Sequence, residues 1–133
     1  MDMKVIPTPG LPPSTGFSHV WRVGDILYIS GQTSFDNQGN FVGAGDIEAQ
    51  AVRVFENLKI AVESAGGTLR DIFKINIYTT DGRYYETIRE VRRRYLGDHW
   101  PASTLVVVTG LARPGLLLEI EAMAVARRAG SGT

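Results

Sequence analysis

Near its end the chain runs Leu105-Val106-Val107-Val108, and after a turn containing Gly110, Pro114 and Gly115 a second strand-like segment runs from Leu116 to Ala126, with alternation around Glu119 and Glu121. A continuous run of branched aliphatic residues reads as a strand buried on both faces, whereas alternation reads as a strand with one face in a core. Only two other segments repeat their apolar residues at helical spacing, and two helices can cover one face of a sheet. The second face therefore needs a cover that this chain does not supply, and a homo-oligomer is the simplest one.

The first helix is expected to be capped by Asp46, to bury Ile47, Ala51, Val54, Phe55, Leu58, Ala61 and Val62, and to stop at Gly66-Gly67. The second spans about 83–96, with Tyr85, Ile88, Val91 and Tyr95 as its apolar stripe and Gly97 as its end. Strands are expected over 18–23 and 26–30, joined at Gly24-Asp25, with a short strand at Phe41-Val42. Further strands are expected over 71–79, 104–109 and 116–126. In the fourth of these six, Ile72, Lys74, Asn76 and Tyr78 should share one face and Phe73, Ile75 and Ile77 the other. Pro7, Pro9, Pro12 and Pro13 make residues 1–16 an arm, with regular structure beginning near Phe17, and residues 128–133 read as a flexible tail. The order is three strands, helix, strand, helix, two strands: a single α+β domain over 1–133 with a six-stranded sheet.

Lys plus Arg and Asp plus Glu number 14 each, so no net field steers the chain to nucleic acid or an anionic membrane. The absence of Cys removes disulfides, thiolate nucleophiles and sulfur-ligated metals together. The N-terminal residues lack the apolar stretch of a secretory signal, and no apolar run approaches the about 18 residues needed to span a bilayer, so a cytoplasmic protein is expected. No Walker loop, dinucleotide fingerprint or His-x-x-x-His is present, and neither a cofactor nor a metal is called for.

His19 and His99 stand far apart in sequence with no local motif, and ordinary histidines are the simpler reading than an acid and base pair. Glu119 and Glu121 fall on one strand face beside Leu117, Met123 and Val125. Either burial among these neighbours raises the pKa of one carboxyl toward neutral, or the pair sits at the wet end of the face, bound to arginines of the 89–94 segment. Glu86 with Arg89, and Glu90 with Arg93 or Arg94, have the three- and four-residue spacing of surface helix pairs.

Particular segments carry a family resemblance: Ile29-Ser30-Gly31-Gln32, Ala49-Gln50-Ala51 through Asn57-Leu58, Ala65-Gly66-Gly67, Asp71-Ile72 with Lys74, Pro101-Ala102-Ser103 and Glu119-Ile120-Glu121-Ala122 with Ala124-Val125. Together, over 17–127, they resemble the RidA/YjgF family, also labelled endoribonuclease L-PSP, several of whose members hydrolyse reactive imines. The resemblance implies a βββαβαββ, chorismate-mutase-like domain with two helices on one sheet face. It also implies a homotrimer whose sheets form a central barrel with ligand clefts between neighbours.

In the deaminases of the family an arginine after Pro-Ala grips the substrate carboxylate, and a glutamate on the last strand positions water. By resemblance the glutamate is Glu119, the catalytic candidate, and the cleft is lined by Phe17, Ser30, Gly31, Arg89, Ser103, Thr104 and Leu105. The arginine position is Ser103, the usual tyrosine is Phe17, an asparagine becomes Arg89 and a cysteine becomes Leu105. Replacing a bidentate guanidinium with a hydroxyl forfeits about 1.5 to 3 kcal/mol, or about ten- to a hundredfold in affinity for a small carboxylate. The expected activity is thus a deaminase-like hydrolysis of an imine, enamine or related carbonyl metabolite other than 2-iminopropionate, with Arg89 as candidate substitute cation. A non-catalytic ligand-binding or chaperone-like trimer is the alternative, and endoribonuclease action a third.

Overall fold

The sheet is assembled from β1 (Met3–Val5), β2 (Val20–Val23), β3 (Ile26–Gln32), β4 (Ile72–Thr79), β5 (Ala102–Val107) and β6 (Leu118–Val125), with helices α1 (Ile47–Ser64) and α2 (Tyr85–Leu96) between. The computed structural model describes residues 2–126; the tail expected at 128–133, and Arg127, lie outside them. Strand order across the sheet is β1-β2-β3-β6-β4-β5, antiparallel throughout except for the parallel pair β4 and β5. The architecture is the α+β class expected, a six-stranded mixed sheet with two helices.

Both helices begin and end where local chemistry dictates. The Asp46 carboxylate accepts from Ala49 N–H at 3.0 Å, and α1 closes at Ala65 with Gly66 at φ +83°, a conformation open to glycine at little cost. Its apolar stripe, with Val54, Phe55, Leu58, Ala61 and Val62 buried, packs on β3 and β6, while α2 rests on α1 through Ile88, Val91 and Leu96. Tyr95 of α2 stacks on Phe55 at 5.7 Å between ring centres. Leu118, Ile120, Ala122 and Ala124 of β6 alternate into the same core, leaving Glu119, Glu121 and Met123 on the opposite face.

Several expectations need correction. The sheet reaches six strands through β1, not through Phe41-Val42, where only an isolated bridge joins Phe41 to Phe35. The prolines begin at Pro7, so Met3, Lys4 and Val5 keep the N–H groups that an edge ladder requires. The alternation expected along β4 fails at its start, where the register shifts between Ile72 and Lys74. Ile72 is consequently buried with Ile75 and Ile77 while Phe73 turns outward. Strand β5, expected to be buried on both faces, is an edge strand: Leu105 packs partly on the core, but Val106 and Val107 are 42% and 57% exposed. Nothing among the described residues covers them. Among the described residues no helix is long and apolar enough to cross a membrane.

Candidate functional site

Between the pairs Ile29↔Ala122 and Gln32↔Ile120, β3 advances three residues while β6 advances two. The extra residue is a bulge, which bends the strand and re-aims its side chains. Ser30 and Gly31 occupy it. The Ser30 hydroxyl donates to Ser18 O at 2.6 Å and so fixes the segment that leads to Phe17. At Gly31 a β-carbon would overlap Glu119 Oε2 and stand 2.7 Å from Glu119 Cδ, so only glycine permits the glutamate to lie against the bulge.

A cleft of about 480 Å³ opens here, walled by Phe17, His19, Ser30, Gly31, Phe35 and Arg113, with Glu119 and Leu116 on its floor. His19 has a structural task. Its Nε2 lies 2.8 Å from Pro12 O and its Nδ1 3.1 Å from the Gln32 side-chain amide, which also donates to Ser30 O at 3.1 Å. With Gln32 donating to Nδ1, the proton resides on Nε2 and the ring ties the proline arm to β3. Phe17 meets that ring edge-on at 5.3 Å.

The two carboxylates of β6 share a face but not a fate. Glu121 accepts from Tyr78 Oη at 2.7 Å and Asn76 Nδ2 at 3.0 Å, and its carboxylate pushes the Tyr78 hydroxyl above the usual phenol range. The Glu119 carboxylate takes part in no hydrogen bond or ion pair among the described residues, and burial, then the charge of Glu121, raise its pKa above the usual range. A carboxylate that is partly desolvated and unpaired beside open space retains the lone pairs needed to take a proton from water.

The arginines of α2 lie away from these carboxylates. Arg89 is exposed and pairs with Glu86 at 3.6 Å, Arg93 with Glu90 at 2.6 Å, and Arg94 with Glu48 at 3.5 Å. Arg89 therefore does not enter the cleft of this chain, because the helix turns it to solvent. Ser103, paired in register with Ile75, stands on the helix side of β5 and accepts from Arg92 Nη1 at 3.3 Å. Thr104, paired with Asn76, faces the other way and accepts from Lys74 Nζ at 3.2 Å. Of the residues singled out in the sequence, the chain itself brings together Phe17, Ser30, Gly31 and Glu119, and it leaves Ser103, Thr104 and Leu105 on the sheet edge. His99 lies 2.6 Å through Nε2 from Ile72 O.

One functional group went unread in the sequence. Arg113 lines the cleft from the β5–β6 turn, its guanidinium 5.0 Å above the Phe35 ring. The only signal was its place in the Gly/Pro turn that leads straight into the Glu119 strand. A larger groove of about 640 Å³ beside α1 and Tyr95 has its polar groups engaged: Glu56 accepts from Tyr95 Oη at 3.1 Å and Arg53 donates to Asn57 Oδ1 at 2.6 Å. Among the described residues no group of three or more His, Cys, Asp or Glu is placed to hold a metal ion.

A family model described as endoribonuclease L-PSP matches residues 9–126. A RutC family protein of Pyrococcus abyssi is 34% identical over 93% of this chain and 98% of its own. RidA of the Antarctic bacterium Psychrobacter is 35% identical, with a TM-score of 0.85 over 92% of this chain and 98% of that one. E. coli TdcF, solved with bound serine, is 31% identical with a TM-score of 0.84 over the same shares.

Proposed function

The chain belongs to the endoribonuclease L-PSP family, in which the Rid and RutC proteins are its relatives, and we propose that it hydrolyses the C=N bond of a small imine, or of the imine tautomer of an enamine, with Glu119 as the base. The observation that carries this reading is the unpaired, partly buried Glu119 carboxylate held against Gly31 in an open cleft. The carboxylate takes a proton from water as the oxygen bonds to the imine carbon. It returns that proton to nitrogen to give a carbinolamine; the carboxylate then takes the carbinolamine hydroxyl proton and passes it to the nitrogen, the C–N bond breaks as the C=O bond forms, and a carbonyl compound and ammonia leave. Phe17, Ser30 and Gly31 form the near wall.

The uncovered β5 edge, with Val106 and Val107 exposed, supports a homotrimer in which Ser103, Thr104 and Leu105 of an adjoining copy close the cleft. Ser103 in place of an arginine removes the carboxylate contact that the family's deaminases make at this position. The test is imine loss in the presence of a semicarbazide trap, with amino-acid oxidases generating a panel of imines. Accelerated loss that vanishes in Glu119→Gln is expected; turnover unchanged in that variant overturns the assignment. Light scattering that gives a monomer mass at micromolar concentration overturns the shared cleft.

Ligand binding without turnover is the second reading, favoured by the serine bound in TdcF. An absence of acceleration across the imine panel would select it. Ribonuclease action, the third, has less support: His19 and His99 are both engaged with backbone carbonyls, and the net charge is zero.

A further inference from the structure

We propose that Arg113 is the anion-binding residue of the cleft and that the molecule bound there is a small carboxylate with an apolar substituent; this rests on Glu119 marking the reacting end. Among the residues lining the cleft, Arg113 is the one Lys or Arg and Glu119 the one Asp or Glu. No ion pair joins them, and the Arg113 guanidinium has no hydrogen-bond or ion-pair partner among the described residues. A guanidinium left open in this way offers its two-pronged face to a planar carboxylate.

The platform under it is built in advance. Phe35 supports the guanidinium from below and packs on Phe41 at 5.8 Å, while its carbonyl accepts from Asn57 Nδ2 at 3.0 Å. The turn itself is pinned by Gln50 of α1, which is fully buried. Its amide donates to Gly115 O at 3.0 Å and Gly43 O at 3.0 Å and accepts from Leu117 N–H at 2.9 Å. A buried amide bonded on both sides of Leu116 holds the Arg113 turn in one shape before any ligand arrives.

A carboxylate on Arg113 offsets the repulsion that a bare anion would meet from Glu119. Beside the polar Thr15, Ser30 and Thr33, the side chains of Phe17, Phe35 and Leu116 offer apolar surface to a substituent. The cleft is thus polarised, with the cation at one point and the base at another, and it selects molecules whose anionic group and C=N or C=O carbon are spaced to meet both. The chain thereby possesses a cation for the task that Ser103 cannot perform.

The test uses 2-oxobutanoate and its neutral amide, 2-oxobutanamide, titrated into the full chain and followed by the Gly31 amide and Arg113 side-chain N–H signals in two-dimensional NMR. The carboxylate is expected to bind at least about tenfold more tightly than the amide, and Arg113→Gln to abolish that preference. Arg113→Lys should retain part of it, since charge remains and the fork is lost. Equal binding of the two probes, no shift with either, or a preference that survives Arg113→Gln overturns the assignment. Arg113 is exposed, so the substitution leaves the core intact, and an unchanged remainder of the spectrum verifies this. Glu119→Gln separates the two readings: turnover that persists in it, with the carboxylate preference still lost in Arg113→Gln, removes Glu119 as the base and leaves Arg113 in place.

Discussion

Gly31→Ala isolates the position of Glu119 from the stability of the fold. The added methyl carbon would overlap Oε2 and stand 2.7 Å from Cδ and 2.9 Å from Cγ of Glu119, where unstrained carbons keep about 3.5–4.0 Å. The obstructing atoms belong to a side chain with open cleft beside it, so the glutamate yields by about 1 Å and the backbone does not. One displaced torsion costs about 0.5–1.5 kcal/mol. Loss of glycine freedom in the unfolded chain returns about 0.4–1 kcal/mol. The net change runs from a stabilisation of about 0.5 kcal/mol to a destabilisation of about 1 kcal/mol, within reach of a urea titration. A displacement of about 1 Å at the reacting group lowers turnover by about a hundredfold. The displaced carboxyl, nearer solvent, should also titrate closer to its ordinary value in a carbon-13 carboxyl experiment. Turnover within twofold of wild type, or destabilisation beyond about 3 kcal/mol, would refute the argument that Glu119 alone absorbs the collision.

Glu119→Gln should become more stable than wild type as pH rises. The folded carboxyl titrates above the ordinary 4.5, so the wild-type chain loses stability through that raised range while the amide does not, and the two converge at more acid pH; paired urea titrations measure the divergence. Hydrolysis should rise over the same interval, as the base ionises. Glu121→Gln removes the like charge that lifts Glu119, so the carbon-13 titration of Glu119 should move to lower pH. His19→Ala should cost about 1–3 kcal/mol by removing the link from Pro12 to Gln32, yet leave the pH profile of turnover in place, because this ring transfers no proton. Arg89→Ala should change thermal stability by no more than about 0.5 kcal/mol, since its pair with Glu86 is exposed.

Periodicity made the helices legible: α1 begins after Asp46 and stops at Gly66 because capping and glycine chemistry are local. The faces of β6 were equally readable, since alternation from Leu118 to Val125 is unbroken. Strand β1 was not, because three residues at a sheet edge carry no pattern of their own. Both bulges were hidden for a related reason: the extra residue in β3 is visible only against β6, about ninety positions later in the sequence. Of the cleft, Glu119, Ser30, Gly31 and Phe17 were named through resemblance, while Arg113 was passed over because a turn residue acquires meaning only when Gln50 fixes where the turn points. Arg89 was named through the same resemblance, and in this chain it stands on the exposed face of α2 beside Glu86, outside the chain's own cleft.

The last strand of the chain occupies the middle of the sheet, between β3 and β4. During synthesis β1, β2 and β3 can pair among themselves, and β4 can pair with β5, but each group keeps an open inner edge until residues 118–125 are available. Those edges are the adhesive kind that neighbouring chains can extend, and closing them requires contacts distant in sequence, which form slowly. Every partial chain ending before Leu118 lacks Glu119 and leaves those edges open, so the cleft and the protection of the sheet come into being in the same final step.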